Sequence, residues 1–550
     1  MLLAEVAAVS ASVASTPARS AKIAAIAGLL GQAGPDDVPA AVAFLSGELL
    51  QRQIGVGYAA LTGLLGTAED GGEPPPRPTL TLADTDAAFR AIGQVAGQGS
   101  AAARRALLDR LWRRATEDER EFLVRLLSGD LRQGALEGVM TEAVAKAAGV
   151  PPAEVRRAHQ LAGFLPVVAR AALGSGVAGS SASASPDAAL AALRAITLQV
   201  GRPVRPMLAA SAPSVQAALG KVSPAALEWK IDGIRIQIHK DGDDVAVYTR
   251  TLEDITQRVP EIAALARSLR AGRAVVDGEA VALRPDGRPH PFQVTSARTA
   301  SQADVAAAAE GTPLDAFFFD IVHLDGTDLI EAPGSARFAR LAEVVPDGSL
   351  IPRIVTSDVR TAEEFFADAV RRGHEGVVVK SLEGPYRAGR RGADWIKVKP
   401  RHTLDLVVLA AEWGHGRRRG WLSNLHLGAR DPADPDGGFV MLGKTFKGLT
   451  DRMLEWQTAR LLALADPPAD PAVRREHGVV RVRPELVAEI AFDGVQASRR
   501  YPGGLALRFA RVLRYREDKT AADADTIDTV RALWPAEPVS DPGSERGEAG

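Results

Sequence analysis

At 550 residues the chain is too long for one ordinary core and divides into three or four domains if each takes about 100–200 residues. Apolar residues make up 46% and charged residues 24%, a globular rather than a disordered composition. The net charge of -2, from 66 cations against 68 anions, excludes a uniformly basic binder but not a local basic patch. Cysteine is absent, which excludes disulfides, thiolate chemistry, iron–sulfur clusters and Cys-ligated zinc.

Only 11 of the 66 cations are lysine, and the chain is rich in Ala and Gly, so its arginine content reflects genome composition as much as function. The nine histidines form no HExxH pattern. The amino terminus lacks a basic stretch before its first apolar residues, and no run reaches 18 apolar residues. Neither a signal peptide nor a membrane span is expected, and the cytoplasm is the expected compartment.

Residues 1 to about 170 read as helical, with apolar positions recurring at three and four, as in EFLVRLLSGDLRQGALEGVMTEAVAKAAGV (121–150). GTAEDGGEPPPRPTL (66–80) should be a surface loop, and GSGVAGSSASASPD (174–187) a flexible linker. Alternating β-type runs follow at 227–240, 245–250, 274–283, 316–324, 376–380 and 395–400, with helical stretches between them. More β runs occupy 404–413, 421–429, 479–492 and 505–516, and they suggest a small β-barrel. The expected boundaries are a helical domain at 1–173, a linker at 174–195, a mixed α+β domain at 196–400, a barrel at 401–534 and a disordered tail at 535–550.

Within Glu228-Trp229-Lys230-Ile231-Asp232-Gly233-Ile234-Arg235, Lys230 ends a β-type run and precedes an Asp-Gly pair suited to a tight turn. A surface lysine before a turn is the plain reading, and a nucleophilic amine is the functional one. KxDG alone is too short to choose between them.

Six further strings follow in order: YTRTLEDIT (248–256), VVDGEAVAL (275–283), FFFDIVHLDG (317–326), EGVVVK (375–380), WIKVKP (395–400) and LRFARVLRYREDK (507–519). Together with KIDGIR (230–235), this set resembles the ATP-dependent DNA ligases of the covalent nucleotidyltransferase superfamily, in particular the bacterial, actinobacterial type with an N-terminal helical DNA-binding domain. The set spans about half of the chain, and its order and spacing are far more specific than any single member. The resemblance implies a multidomain fold: an all-α N-terminal domain, an α+β nucleotidyltransferase core (an ATP-grasp-like adenylation domain) and a C-terminal OB-fold β-barrel.

It also implies roles. Lys230 attacks the α-phosphate of ATP and becomes adenylated. Glu228, Arg235, Arg250, Glu279, Phe319, Lys380, Arg391, Lys397 and Lys399 contact the nucleotide, with Phe319 against the adenine. Glu279 and Glu375 handle Mg²⁺, or Mn²⁺ in its place. Arg514, Arg516, Asp518 and Lys519 belong to a motif that closes over the nucleotide during adenylation. Lys397 and Lys399 alternate with Ile396 and Val398, so on a strand both point to one face. With Lys380 they would depress the Lys230 pKa by like-charge repulsion. Phe317 and Phe319 would share a face, opposite Phe318.

The small total charge hides two basic segments. Residues 371–420 hold twelve Lys/Arg against five Asp/Glu, and residues 474–519 hold eleven against six. GHGRRRGW (414–421) suits phosphate contact. FLSGELLQRQIGVGY (44–58) and LLSGDLRQGALEGVM (126–140) share a pattern that suggests an internal repeat. Both resemble the ligase DNA-binding domain, where glycines at helix starts admit phosphates. The implied partner is nicked duplex DNA, recognised by shape, and the implied state is a monomer, associated with the nucleoid when working, that seals nicks in replication, repair and recombination. An RNA ligase or an mRNA capping enzyme is disfavoured by the large helical domain and the REDK ending. An NAD-dependent ligase is disfavoured by the missing cysteines, and a catalytically silent nick-binding scaffold by the retained site residues.

Overall fold

The computed structural model describes the chain except for residues 52, 53, 57–73, 98, 132, 135, 136, 175–184, 302, 303, 388, 390, 436, 467–477 and 534–550, and the side chain of Arg391. Residues 175–184 of the expected 174–195 linker and the whole of the expected tail fall outside the described residues, as does most of the expected 66–80 loop; Pro186–Arg194, also expected as linker, form a helix instead, capped by Ser185. The chain forms two compact units, Met1–Lys397 and Val398–Gly550. No described helix is long and apolar enough to cross a membrane.

The first unit begins with helices whose Leu, Val and Ala positions converge on one core that includes Phe44, Phe89, Phe122 and Met140. Helix ends follow local chemistry. Thr116 and Glu119 form a capping box at the start of Glu117–Leu127. The two Ser-Gly-acidic-Leu patterns fold alike: Glu48 N–H donates to Ala43 O (2.9 Å) and Asp130 N–H to Arg125 O (3.0 Å), around Gly47 (φ 73°) and Gly129 (φ 69°). These glycines therefore close the preceding helices rather than open the following ones. In Ser100–Arg114, Leu108 and Leu111 are buried while Arg105, Arg110, Arg113 and Arg114 are exposed, the amphipathic division of a surface helix.

Two sheets follow in this unit. The first contains β1 (Leu208–Ser211), β2 (Ala225–Trp229), β8 (Arg353–Thr356), β9 (Val377–Ser381) and β10 (Arg391–Val398), in the order β1-β10-β9-β2-β8. The second contains β3 (Ile234–Asp241), β4 (Asp244–Thr249), β5 (Arg273–Ala282), β6 (Leu314–Leu324) and β7 (Thr327–Asp328), in the order β4-β3-β5-β6-β7. The 227–240 run is thus two strands in two sheets. Phe318 is buried in the core of the second sheet, and Phe317 and Phe319 point the other way, as the two-residue period requires.

The second unit holds β11 (His402–Trp413), β12 (Leu422–Arg430), β13 (Phe439–Thr445), β14 (Val479–Arg481), β15 (Val487–Phe492), β16 (Gly494–Ala497), β17 (Leu505–Arg508) and β18 (Arg511–Tyr515). The main sheet runs β13-β12-β11-β15-β18 with β14 also on β11, and β16-β17 form a separate pair. The expected OB-fold β-barrel is not formed, because no described sheet closes. The edge strands β13 and β18 approach through Val512 N–H to Lys447 O (3.0 Å) and Thr445 Oγ1 to Ala510 O (2.5 Å), at and beyond the end of β13. The chain then enters the helix Asp451–Ala463, so no ladder develops there.

Candidate active site

Lys230 sits where the chain crosses between sheets, in the four residues separating β2 from β3. Its N–H donates to Gly376 O (2.8 Å), and Glu375 N–H donates to Lys230 O (2.8 Å). These bonds prolong the β2–β9 ladder, in which Trp229 faces Val377. Gly233 completes the crossover because a Cβ there would lie 2.2 Å from Ala280 O and 2.9 Å from Glu279 Cγ. On the far face of β2, Trp229 stacks on His374 at 4.6 Å, with the Arg372 guanidinium 5.3 Å from its ring.

The Lys230 amine faces carboxylates. Its Nζ lies 2.5 Å from Glu375 Oε2. Burial pulls its pKa down, but Glu375, then Glu279, and finally Asp232 outweigh that and hold it above the ordinary lysine value. The expected depression by Lys380 and its neighbours is therefore reversed: Lys380 is turned onto Glu228. Glu279, on β5 beside Arg235 of β3, is pushed up to about 7 by burial, against the pull of Lys230 and Arg235 and with Glu375 and Asp232 adding to the rise.

A buried ionic cluster adjoins this group. Glu228 Oε2 lies 2.5 Å from Lys380 Nζ, and its Oε1 accepts from Arg353 Nε (2.8 Å). Lys380 Nζ also donates to Phe319 O (3.3 Å) and stands 4.5 Å from the Phe319 ring and 4.1 Å from the Trp395 ring. Burial draws Lys380 down to about 8, opposed by Glu228 and Asp320 and reinforced by Arg353. Phe319 meets Trp395 edge to face at 5.9 Å.

Arg235 reaches the same wall from the second sheet. It donates to Asp277 Oδ2 (2.6 Å), Met207 O (2.6 Å) and the Tyr386 hydroxyl (3.1 Å), 5.2 Å from the Phe319 ring. Burial alone would lower its pKa, but Asp277 above all reverses that and raises it. Behind Asp277 a buried chain runs through Gln237 to His239 and the backbone of Val204 and Gly201.

The structure thus brings together Glu228, Lys230, Arg235, Glu279, Phe319, Glu375 and Lys380. Arg250 is exposed on the turn after β4. Arg391 opens β10, paired with Leu208, and its side chain lies outside the described residues. Lys397 is at the end of β10, opposite Ser211. Lys399 follows that strand, already within the second unit, and pairs with Asp493 of the same unit at 3.3 Å, so the two lysines do not share one strand. In that second unit Arg514 pairs with Glu489 (2.6 Å), and Arg516 with Asp518 (2.6 Å) and Asp405 (2.7 Å). Lys519 also pairs with Asp405, at 2.7 Å.

Sequence reasoning did not single out Asp277 as a partner, nor Arg353, Tyr386 or Trp395. Arg353 lies on a four-residue strand too short to register as a β run, and Tyr386 lies in a loop. Asp277 was visible only as half of an Asp-Gly pair that reads as a turn but lies within β5. Among the described residues no group of three or more His, Cys, Asp or Glu is placed to hold a metal unaided. The carboxylates of Glu279 and Glu375 are nonetheless an all-oxygen donor pair in a buried site, which fits a hard divalent cation sharing its shell with phosphates.

Comparison with known proteins identifies the family. Residues 67–145 match the family described as DNA ligase N terminus, residues 206–399 the ATP dependent DNA ligase domain, and residues 418–519 the ATP dependent DNA ligase C terminal region. A probable DNA ligase of Beutenbergia cavernae is 58% identical over 97% of this chain and 99% of its own length. One of Mycobacterium marinum is 56% identical over 97% of this chain and 100% of its own length. The solved structure described as Pmar-Lig_Pre shares the fold with a TM-score of 0.58 at 17% identity, covering 93% of this chain and 99% of that one. Its motifs, its site and its near full-length relatives agree, and the chain belongs to the ATP-dependent DNA ligase family, enzymes that seal nicks in DNA using ATP.

Proposed function

We propose that Lys230 is the nucleophile that carries AMP between ATP and a nick in duplex DNA. The observation that supports this best is the placement of its amine at the inter-sheet crossover, between Glu375 and Glu279 and next to the Glu228–Lys380–Phe319–Trp395 wall. In the first step the Lys230 nitrogen forms a bond to the α-phosphorus while the bond to the pyrophosphate oxygen breaks. The proton on Nζ must leave first, and Glu375 Oε2, 2.5 Å away, is its nearest acceptor. AMP then passes to the 5′-phosphate of the nick, and the 3′-hydroxyl displaces it.

Phe319 and Glu228 sit against the adenine, and Arg235, Arg250, Lys380, Arg391, Lys397 and Lys399 serve the nucleotide's ribose and phosphates. Glu279 and Glu375 hold Mg²⁺, which when bound supplies charge to the phosphate oxygens; Mn²⁺ suits the same donors. Arg514, Arg516, Asp518 and Lys519 serve adenylation. Residues 1–173 grip duplex DNA, 196–400 transfer the nucleotide, and the enzyme works as a monomer in the cytoplasm, at the nucleoid, in replication, repair and recombination.

Labelled ATP tests the reading directly. A covalent adenylate should form on the wild-type chain and vanish in Lys230→Ala, and the wild type should seal nicked DNA but not nicked RNA. Labelling that survives Lys230→Ala would place the nucleophile elsewhere.

A further inference from the structure

Asp405 lies on β11 of the second unit, 9% exposed. Its Oδ2 accepts from both Arg516 Nη1 and Lys519 Nζ, each at 2.7 Å. Those two cations come from one turn, closed by Lys519 N–H to Arg516 O (3.1 Å). The other edge of the Arg516 guanidinium is taken by Asp518, through Nε (2.8 Å) and Nη2 (2.6 Å). Asp525 laces the same segment to β11: its carboxylate accepts from Asp405 N–H (2.7 Å), and its own N–H donates to Asp405 O (2.9 Å). Asp405 Oδ1 is buried without a hydrogen-bond partner.

A buried carboxylate with one orphaned oxygen does not serve its strand, because an apolar side chain would cost less there. Its charge has another use. Two cations brought to one oxygen repel each other, and only an anion between them holds them side by side. A guanidinium and an ammonium so aligned are preorganised for the oxygens of one phosphate group, without rotamer freedom to lose on binding.

We infer that Asp405 is a positioning residue for adenylation: it aligns Arg516 and Lys519 as a cationic pair fit for the polyphosphate of ATP. This rests on the reading that those two residues serve the adenylation step.

The experiment compares Arg516→Ala, Lys519→Ala, Asp405→Asn and Asp405→Glu in the full chain. Two rates are measured: formation of the lysyl adenylate from labelled ATP, and sealing of nicked DNA that already carries 5′-AMP. Thermal melting monitors folding. With Asp405→Asn, adenylation should fall by about tenfold or more relative to the sealing of pre-adenylated DNA. Asp405→Glu should restore part of it, since it keeps the charge. If the Arg516 and Lys519 variants lose adenylation while Asp405→Asn keeps it, the inference about Asp405 is overturned and the reading beneath it stands. Should Asp405→Asn lose both rates equally, Asp405 is merely structural and the inference again fails. If neither the Arg516 nor the Lys519 variant affects adenylation, the reading itself fails and takes the inference with it.

Discussion

Lys230 and Glu375 are joined twice, side chain to side chain at 2.5 Å and main chain to main chain at 2.8 Å. The backbone that carries the amine cannot slide past the one that carries the carboxylate, because the second bond prolongs the ladder between β2 and β9. The facing of these two residues is therefore set by sheet register, which a one-residue slip would destroy.

Gly233→Ala should damage both stability and chemistry. The added methyl would overlap Ala280 O, a backbone atom that cannot swing aside, and press on Glu279 Cγ. A loss of about 1–3 kcal/mol is expected from such overpacking, read as a lower urea midpoint, together with slower adenylate formation. A variant as stable and as active as the wild type would show that the crossover yields easily.

Glu228→Gln keeps the shape of the side chain and removes its charge. Lys380 and Arg353 would then face each other across a neutral amide, with Lys380 2% exposed. Breaking a buried pair from one side costs about 3–5 kcal/mol. Chemical denaturation followed by circular dichroism should register that loss, and a change below 1 kcal/mol, about the worth of an exposed pair, would contradict it.

Acid should weaken the first unit through His159, which burial, and secondarily Arg205, pull down to about 3. The unfolded side chain titrates near 6.5, so between these values the unfolded chain binds the extra proton. Stability is complete above about pH 6.5 and declines as the pH falls towards the folded value; at pH 5 the loss is about 2 kcal/mol. His159 Nε2 has no hydrogen-bond partner and Nδ1 reaches Glu137 Oε1 only at 3.5 Å, so His159→Leu should leave the pH 7 stability nearly unchanged. Unfolding at pH 7 and pH 5 should then differ less in the variant than in the wild type.

Arg417 is exposed on the turn between β11 and β12. If GHGRRRGW meets a phosphate, Arg417→Ala should weaken binding of nicked duplexes of any sequence and reduce the slope of log K against log salt by about 1. Titrations at several salt concentrations separate that outcome from an unchanged slope, which would leave this arginine solvated.

The strands around the site were legible because their residues alternate, as in IRIQIHK and DAFFFDIVHL, and the functional residues punctuate those strands. What alternation does not carry is the partner. Nothing local to Glu228 announces Arg353, 125 positions away, or ties Arg235 to Tyr386, 151 positions away. The direction of the Lys230 shift was misread for the same reason: lysines can be counted along the chain, but whether carboxylates stand closer is decided only by packing. The barrel was misread because alternating runs specify strands without specifying whether the two edge strands meet along their length or only at their ends.

The crossover also sets what mutation can explore. With β2 and β3 held in different sheets, the segment from Lys230 to Gly233 is held to four residues in length. One residue more or fewer would invert the faces of β3, turning Arg235 towards the core and Ile236 towards Asp277 and Tyr386. The spacing between Lys230 and Arg235 is thereby confined to a single value.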